Sequence, residues 1–169
     1  MGLFDGISKF ILVSAILTAV GFLVHLIGYG APYWLKIGDL NTGLWKYCFG
    51  SQCINTVSEP FKNTFAIYEG WLAAVQAFET LAFLANLATM AVMGLRFTVM
   101  KEQKILPIGI FIFQFASVGL TLLGVIIYGA KSPLSNYGYA FVFEIISAII
   151  ILVAGVFSFL DWRGASVPA

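Results

Sequence analysis

The chain has 169 residues, of which 60% are hydrophobic and 10% are charged, and its mean hydropathy is +0.95. Soluble domains carry about 25% charged residues, so the composition excludes a soluble globular protein and predicts a membrane protein whose main partner is the lipid bilayer. The formal net charge of +1 argues against nucleic-acid binding, which requires a basic face.

Four long apolar runs cover residues 10–30, 71–95, 107–128 and 137–160. About 20 apolar residues are enough to cross the hydrocarbon core, so each run predicts a transmembrane helix. The first run is longer than the apolar core of a signal peptide and has no small-residue cleavage site, so we expect it to be retained. Residues 1–169 then form a single four-span domain, with a long outer loop at 31–70 and a short one at 129–136.

The first outer loop has the composition of a small antiparallel sheet. Tyr33–Ile37 and Leu44–Cys48 are rich in aromatic and branched residues, as short strands are, and the turn-prone segment Gly38–Gly43 lies between them. A second turn at Phe49–Gln52 brings Cys48 towards Cys53. These two residues are the only cysteines of the chain, and a disulfide between them is favoured over free thiols.

The two cysteines and the single, distant His25 do not supply a four-ligand zinc site, so we expect no metal site. A disulfide forms in an oxidising compartment. It therefore predicts that the first loop is extracellular and that both termini are cytoplasmic.

The same loop contains the pattern W...GLW-x-x-C...C, which is formed by Trp34, Gly43, Leu44, Trp45, Cys48 and Cys53. This pattern resembles the signature of the claudin, peripheral myelin protein, epithelial membrane protein and lens fibre membrane protein superfamily. Two further segments are similar to the myelin and epithelial branch. They are the start of the second run, with Glu69, Trp71 and the Val-Gln-Ala of residues 75–77, and residues 137–141 at the start of the fourth run. The chain is identified as a divergent or invertebrate-like member.

The resemblance implies an all-α transmembrane four-helix bundle with a small extracellular antiparallel β-sheet in the first outer loop. It also implies a multi-pass plasma-membrane protein, at cell junctions, that acts in cell-cell contact, junction organisation or membrane apposition. Its partners would be further copies of itself or another membrane protein, either a junction protein or an ion channel. The alternative function is an auxiliary subunit that modulates an ion channel, and an ion- or proton-coupled transporter ranks third.

Four features depart from the claudin pattern. Only four residues separate Cys48 from Cys53, which predicts a shortened hairpin, and Glu79 stands where claudins tend to carry an arginine. The second outer loop is very short, which favours the auxiliary role. The charges of the first loop also sum to zero, whereas a charge-selective pore needs a ring of one sign.

Small and weakly polar residues recur at helical spacing in three of the runs, and such stripes are what helices bury against each other in lipid. They are Ser14, Thr18, Gly21, His25 and Gly28 in the first run, Gln114, Ser117, Thr121, Gly124 and Tyr128 in the third, and Glu144, Ser147, Ala148, Ala154, Gly155 and Ser158 in the fourth. We expect these stripes to face the bundle interior. The alanine-rich second run is expected to lie most centrally.

His25, Glu79 and Glu144 are ionisable, lie at similar depth within the spans and define, with Gln76, an intramembrane polar cluster. Such groups cost free energy in lipid unless they are paired or neutral. One hypothesis is a proton or cation site. The preferred hypothesis is a hydrogen-bonded cluster that fixes helix packing, because three residues without a continuous polar path do not form a conduction route.

Trp34 and Trp45 allow two interpretations, packing of the sheet onto the membrane surface or contact with a partner, and packing is preferred. The chain has no G-x-S-x-G, P-loop or H-E-x-x-H motif. We therefore expect no enzyme activity, no catalytic residue and no cofactor.

Overall fold

The computed structural model describes residues 8–58, 69–99, 105–132 and 136–166. Within these ranges the chain forms four helices, α1 (Lys9–Gly30), α2 (Glu69–Thr98), α3 (Leu106–Lys131) and α4 (Tyr139–Ser166). All four are long and apolar enough to cross a membrane. The prediction of a four-helix, multi-pass membrane protein is confirmed.

The helices α2 and α4 extend further than the apolar runs that predicted them. They end at Thr98 and Ser166, beyond the expected ends at 95 and 160. Arg96 Nη2 and Asp161 Oδ2 lie 2.7 Å apart in these extensions and join the two helices. Hydropathy detects only the apolar part of a helix, so a last turn that is stabilised by an ion pair is missed.

The polar stripes face the interior, as predicted. α1 packs mainly against α4, and α3 packs against both α2 and α4. Ser14 Oγ lies 2.7 Å from Ser158 Oγ, and Gln114 Nε2 donates to Thr18 Oγ1 at 2.8 Å. The expectation that the second helix lies most centrally is wrong, because 33% of the residues in its apolar 18-residue stretch are buried, against 44% in the corresponding stretch of α4. Alanine content indicates close packing on some face, without indicating how many neighbours a helix has.

A sheet lies at one end of the bundle, with the antiparallel strand order β1 (Leu35–Ile37), β2 (Leu40–Thr42), β3 (Lys46–Phe49) and β4 (Gln52–Asn55). The fold class implied by the resemblance is thereby confirmed. Cys48 and Cys53 face each other in β3 and β4 and form the predicted disulfide.

The segment Gly38–Gly43 was predicted to be a turn, and it contains strand β2 instead. Gly38 has a φ of 56°, so the chain reverses within the two residues Gly38 and Asp39. A glycine of positive φ at the first position is typical of a type II′ hairpin. Gly50, with a φ of 58°, has the same role in the turn that was predicted between β3 and β4.

The segment before α4 covers the edge of β1. Lys36 N donates to Asn136 O at 3.0 Å, and Gly138 N donates to Trp34 O at 2.9 Å. This pairing delays the start of α4 to Tyr139, two residues after the predicted start of the span. The edge strand at the other side of the described sheet is β4.

Candidate functional site

Trp34 joins the sheet to the bundle. Its side chain is fully buried, and its Nε1 donates to Gly28 O of α1 at 2.8 Å. The centroid of its ring lies 4.8 Å from the ring centroid of Tyr128 in α3 and 5.8 Å from that of Phe141 in α4. Since no part of this side chain is accessible, the interpretation of Trp34 as a partner contact is wrong.

The next signature residues hold the corner between β2 and β3 against the helices. A Cβ atom at Gly43 would clash with Ala31 O, so glycine allows the close approach of this corner to the end of α1. Leu44 is fully buried, and its carbonyl accepts 2.6 Å bonds from Gln76 Nε2 and Thr56 Oγ1. The signature therefore stabilises the contact between sheet and bundle.

Trp45 is partly buried and lines a groove of about 430 Å³ on the outer side of α2. Its ring packs edge-on against Tyr29, with the centroids 5.2 Å apart. Its buried Nε1 has no hydrogen-bond partner among the described residues. The remaining groove residues are Gln76, Ala77, Thr80 and Leu81.

His25, Glu79 and Glu144, which we call the polar site, come together from three helices. All three side chains are fully buried. One potential ligand atom from each lies within 4.8 Å of the others, and His25 Nδ1 is 2.7 Å from Glu144 Oε2. Both carboxylate oxygens of Glu79 and Oε1 of Glu144 have no hydrogen-bond partner among the described residues.

Two glycines of the predicted stripes make room for the carboxylates. A Cβ atom at Gly28 would lie 2.5 Å from Glu144 Oε1, and one at Gly124 would clash with Glu79 Oε1. These glycines therefore serve the polar site as well as close helix packing. The spacing of the stripes indicated burial, but the pairing of each glycine with a carboxylate requires the tertiary structure.

Aromatic rings cover the imidazole side of the polar site. The ring centroids of Tyr29 and Phe83 lie 5.8 and 6.5 Å from the centroid of the His25 imidazole. These two rings also stack on each other, with their centroids 5.7 Å apart. Tyr29 OH lies 3.0 Å from Thr80 Oγ1. Tyr29 was not among the predicted site residues, although it follows His25 by one helical turn.

Gln76 is not part of the polar site. Its Nε2 donates to Leu44 O at 2.6 Å and lies 3.2 Å from Thr56 Oγ1, so its side chain faces the sheet. In a helix, residues three apart differ by about 60° in direction. Gln76 and Glu79 therefore lie near each other along α2 but serve different contacts.

One face of the sheet carries most of its apolar residues, together with Thr42 and Gln52. Directly opposed residues share a face, so the register places Ile37, Leu40, Phe49 and Ile54 together. Leu35, on the same face but nearer the helices, is 5% exposed, whereas Phe49 is 67% and Ile54 40% exposed. We call Ile37, Leu40, Phe49 and Ile54 the apolar tip.

No protein-family model matches the chain. The comparison with curated proteins gives no match either.

Proposed function

We propose that this protein is a claudin-like plasma-membrane protein of cell-cell contacts. In this proposal the sheet is extracellular, both termini are cytoplasmic, and the apolar tip binds a junction protein or a second copy of the chain. The signature residues between Trp34 and Cys53 support the family resemblance. The observation that supports the proposal most directly is the exposure of Phe49 and Ile54 on the sheet.

The exposed tip offers two complementary kinds of contact. Phe49 and Ile54 present apolar surface, and such a patch outside the membrane is typical of a protein interaction site. β4 is the edge strand of the described sheet, and all four of its residues are exposed. An edge strand pairs with an added strand through its backbone, so apolar contact and strand addition together would join two proteins.

Expression in non-adherent cells tests this proposal. We expect the wild-type protein to cluster cells, and Phe49→Ser and Ile54→Ser to abolish clustering at equal surface amounts. Lys46→Gln changes an exposed residue on the opposite face of the sheet and should cluster cells normally. Clustering that survives both serine substitutions, or wild-type protein at the surface without clustering, would contradict the proposal.

The groove beside Trp45 favours the second candidate, an auxiliary subunit of an ion channel. It lies on the outer side of α2, where a transmembrane helix of a partner in the same membrane would pack, and the buried Trp45 N–H has no acceptor in the described part of the chain. Copurification with a channel, without cell clustering, would support this role. Ala77→Phe fills the groove and should abolish copurification, whereas Ala73→Phe, one turn away on α2, should not.

A further inference from the structure

The three residues of the polar site form a set of potential metal ligands. An imidazole and two carboxylates converge from α1, α2 and α4, and their potential ligand atoms lie within 4.8 Å of one another. None of the three side chains is accessible from outside. The set is distinct from the apolar tip, so an inference about it is independent of the proposed contact function.

The hydrogen bonds within the polar site satisfy only part of it. Glu144 Oε2 is bonded to His25, but the other three carboxylate oxygens have no partner among the described residues. A buried polar group without a partner costs free energy, and a buried carboxylate costs more. Glu79 has the largest unmet requirement, since it is fully buried, one of its oxygens faces the ligand atoms of His25 and Glu144 within 4.8 Å, and neither oxygen has a hydrogen-bond partner among the described residues.

We propose that His25, Glu79 and Glu144 bind a divalent transition-metal cation of the Zn²⁺ class inside the bundle. Two carboxylates balance the charge of a divalent cation, so the loaded site is neutral in the low-dielectric interior. Protein ligands lie about 2.0 to 2.2 Å from zinc, and three of them with an open fourth position form a common zinc geometry. On binding, the widest separation, which is at most 4.8 Å, would close, while the 2.7 Å contact of His25 Nδ1 with Glu144 Oε2 would open to admit the ion, both by rotation of the side chains.

The ligand types select this class of cation. Calcium and magnesium prefer six or more oxygen ligands, many of them from water or backbone carbonyls. Imidazole combined with carboxylate suits zinc and neighbouring transition metals. The sequence-based expectation of no metal site considered cysteine and histidine ligands, and the cation-site hypothesis for His25, Glu79 and Glu144 named no class of metal.

A metal titration tests the proposal directly. The full-length protein, purified with a tag that lacks histidine and stripped with a chelator, is dialysed against ZnCl₂, and bound zinc is measured per chain. We expect one zinc per chain. Glu79→Gln and Glu144→Gln should each weaken binding by about a hundredfold, because even residues behind the ligands contribute tenfold to a hundredfold. Asp39→Asn also replaces a carboxylate by an amide, but in an exposed turn, and this variant should bind zinc as the wild type does.

X-ray absorption by the zinc-loaded wild-type protein keeps the test decisive if the variants do not fold. The chain contains a single histidine and the tag contains none, so an imidazole ligand in the spectrum must be His25. Nitrogen and oxygen ligands including one imidazole support the proposal. No bound zinc in the wild type, a zinc shell without imidazole, or equal binding by folded glutamine variants overturns it.

Discussion

Nδ1 of His25 lies 2.7 Å from Oε2 of Glu144, and this bond joins the first helix to the last one. Both side chains are fully buried. The bond therefore lies in the extensive interface between α1 and α4, where Ser14 Oγ also donates to Ala154 O and Ser147 Oγ donates to Gly21 O. Together with the serine contacts, it specifies how these two helices align.

Removal of one partner of this bond should destabilise the bundle. Glu144→Ala leaves His25 buried without a partner, and we expect it to lower the free energy of unfolding by about 3 kcal/mol. Glu144→Gln keeps an oxygen for the imidazole and should cost less. Unfolding in detergent, with a chelator present to exclude metal effects, measures both variants. Equal stability of the alanine and glutamine variants would show that the bond contributes nothing.

The close approach of α3 to Glu79 depends on Gly124. Gly124→Ala places a methyl group on the carboxylate, and overpacking of this kind costs about 1 to 3 kcal/mol. Gly119→Ala is the matched control on the same helix, because a Cβ atom there meets nothing within 4 Å. Thermal unfolding should separate the two variants. The double variant Gly124→Ala with Glu79→Ala should recover part of the loss, and a failure to do so would argue against this contact.

The two signature tryptophans should respond differently to the same change. Trp34→Phe removes the bond from Nε1 to Gly28 O and should cost at least about 1 kcal/mol. Trp45→Phe removes an N–H that has no partner among the described residues, so a smaller loss is expected. Limited proteolysis of the sheet, together with thermal unfolding, compares them. A larger effect at Trp45 would contradict the role assigned to Trp34.

The disulfide should contribute modestly to stability. It closes a short loop between adjacent strands, for which the chain-entropy relation gives about 2 kcal/mol. Replacement of both Cys48 and Cys53 by serine should lower the unfolding temperature while Trp34 and Leu44 still hold the sheet to the helices. The unfolding temperature of the wild type under reductant should match that of the variant. Complete loss of the folded sheet would show that the packed residues are insufficient.

The local sequence was sufficient to predict the four helices and the face that each of them buries. A run of apolar residues predicts a span whatever its neighbours are, and the spacing of Ser14, Thr18 and Gly21 places them on one side of α1 in any bundle. It was not sufficient for helix ends, because Arg96 and Asp161 belong to different helices and their 2.7 Å contact forms only when those helices pack together. Strand β2 was missed for a similar reason, since three residues become a strand only by pairing with both neighbours.

The polar site shows the same division. Each of its members could be predicted to be buried or paired, because an unpaired ionisable residue in lipid costs free energy. The distances between them, the positions of Gly28 and Gly124 opposite the two carboxylates, and the contact of Gln76 with Leu44 were not predictable, because each depends on how one part of the chain packs against another.

The sequence alone determined that the chain crosses the membrane four times and which stripe of each helix is buried, because hydrophobicity and helical period act within single segments. The tertiary structure decided that His25, Glu79 and Glu144 meet and that Phe49 and Ile54 remain exposed. Those outcomes depend on helix rotation, strand register and the fit between sheet and bundle, which arise only when distant segments pack together.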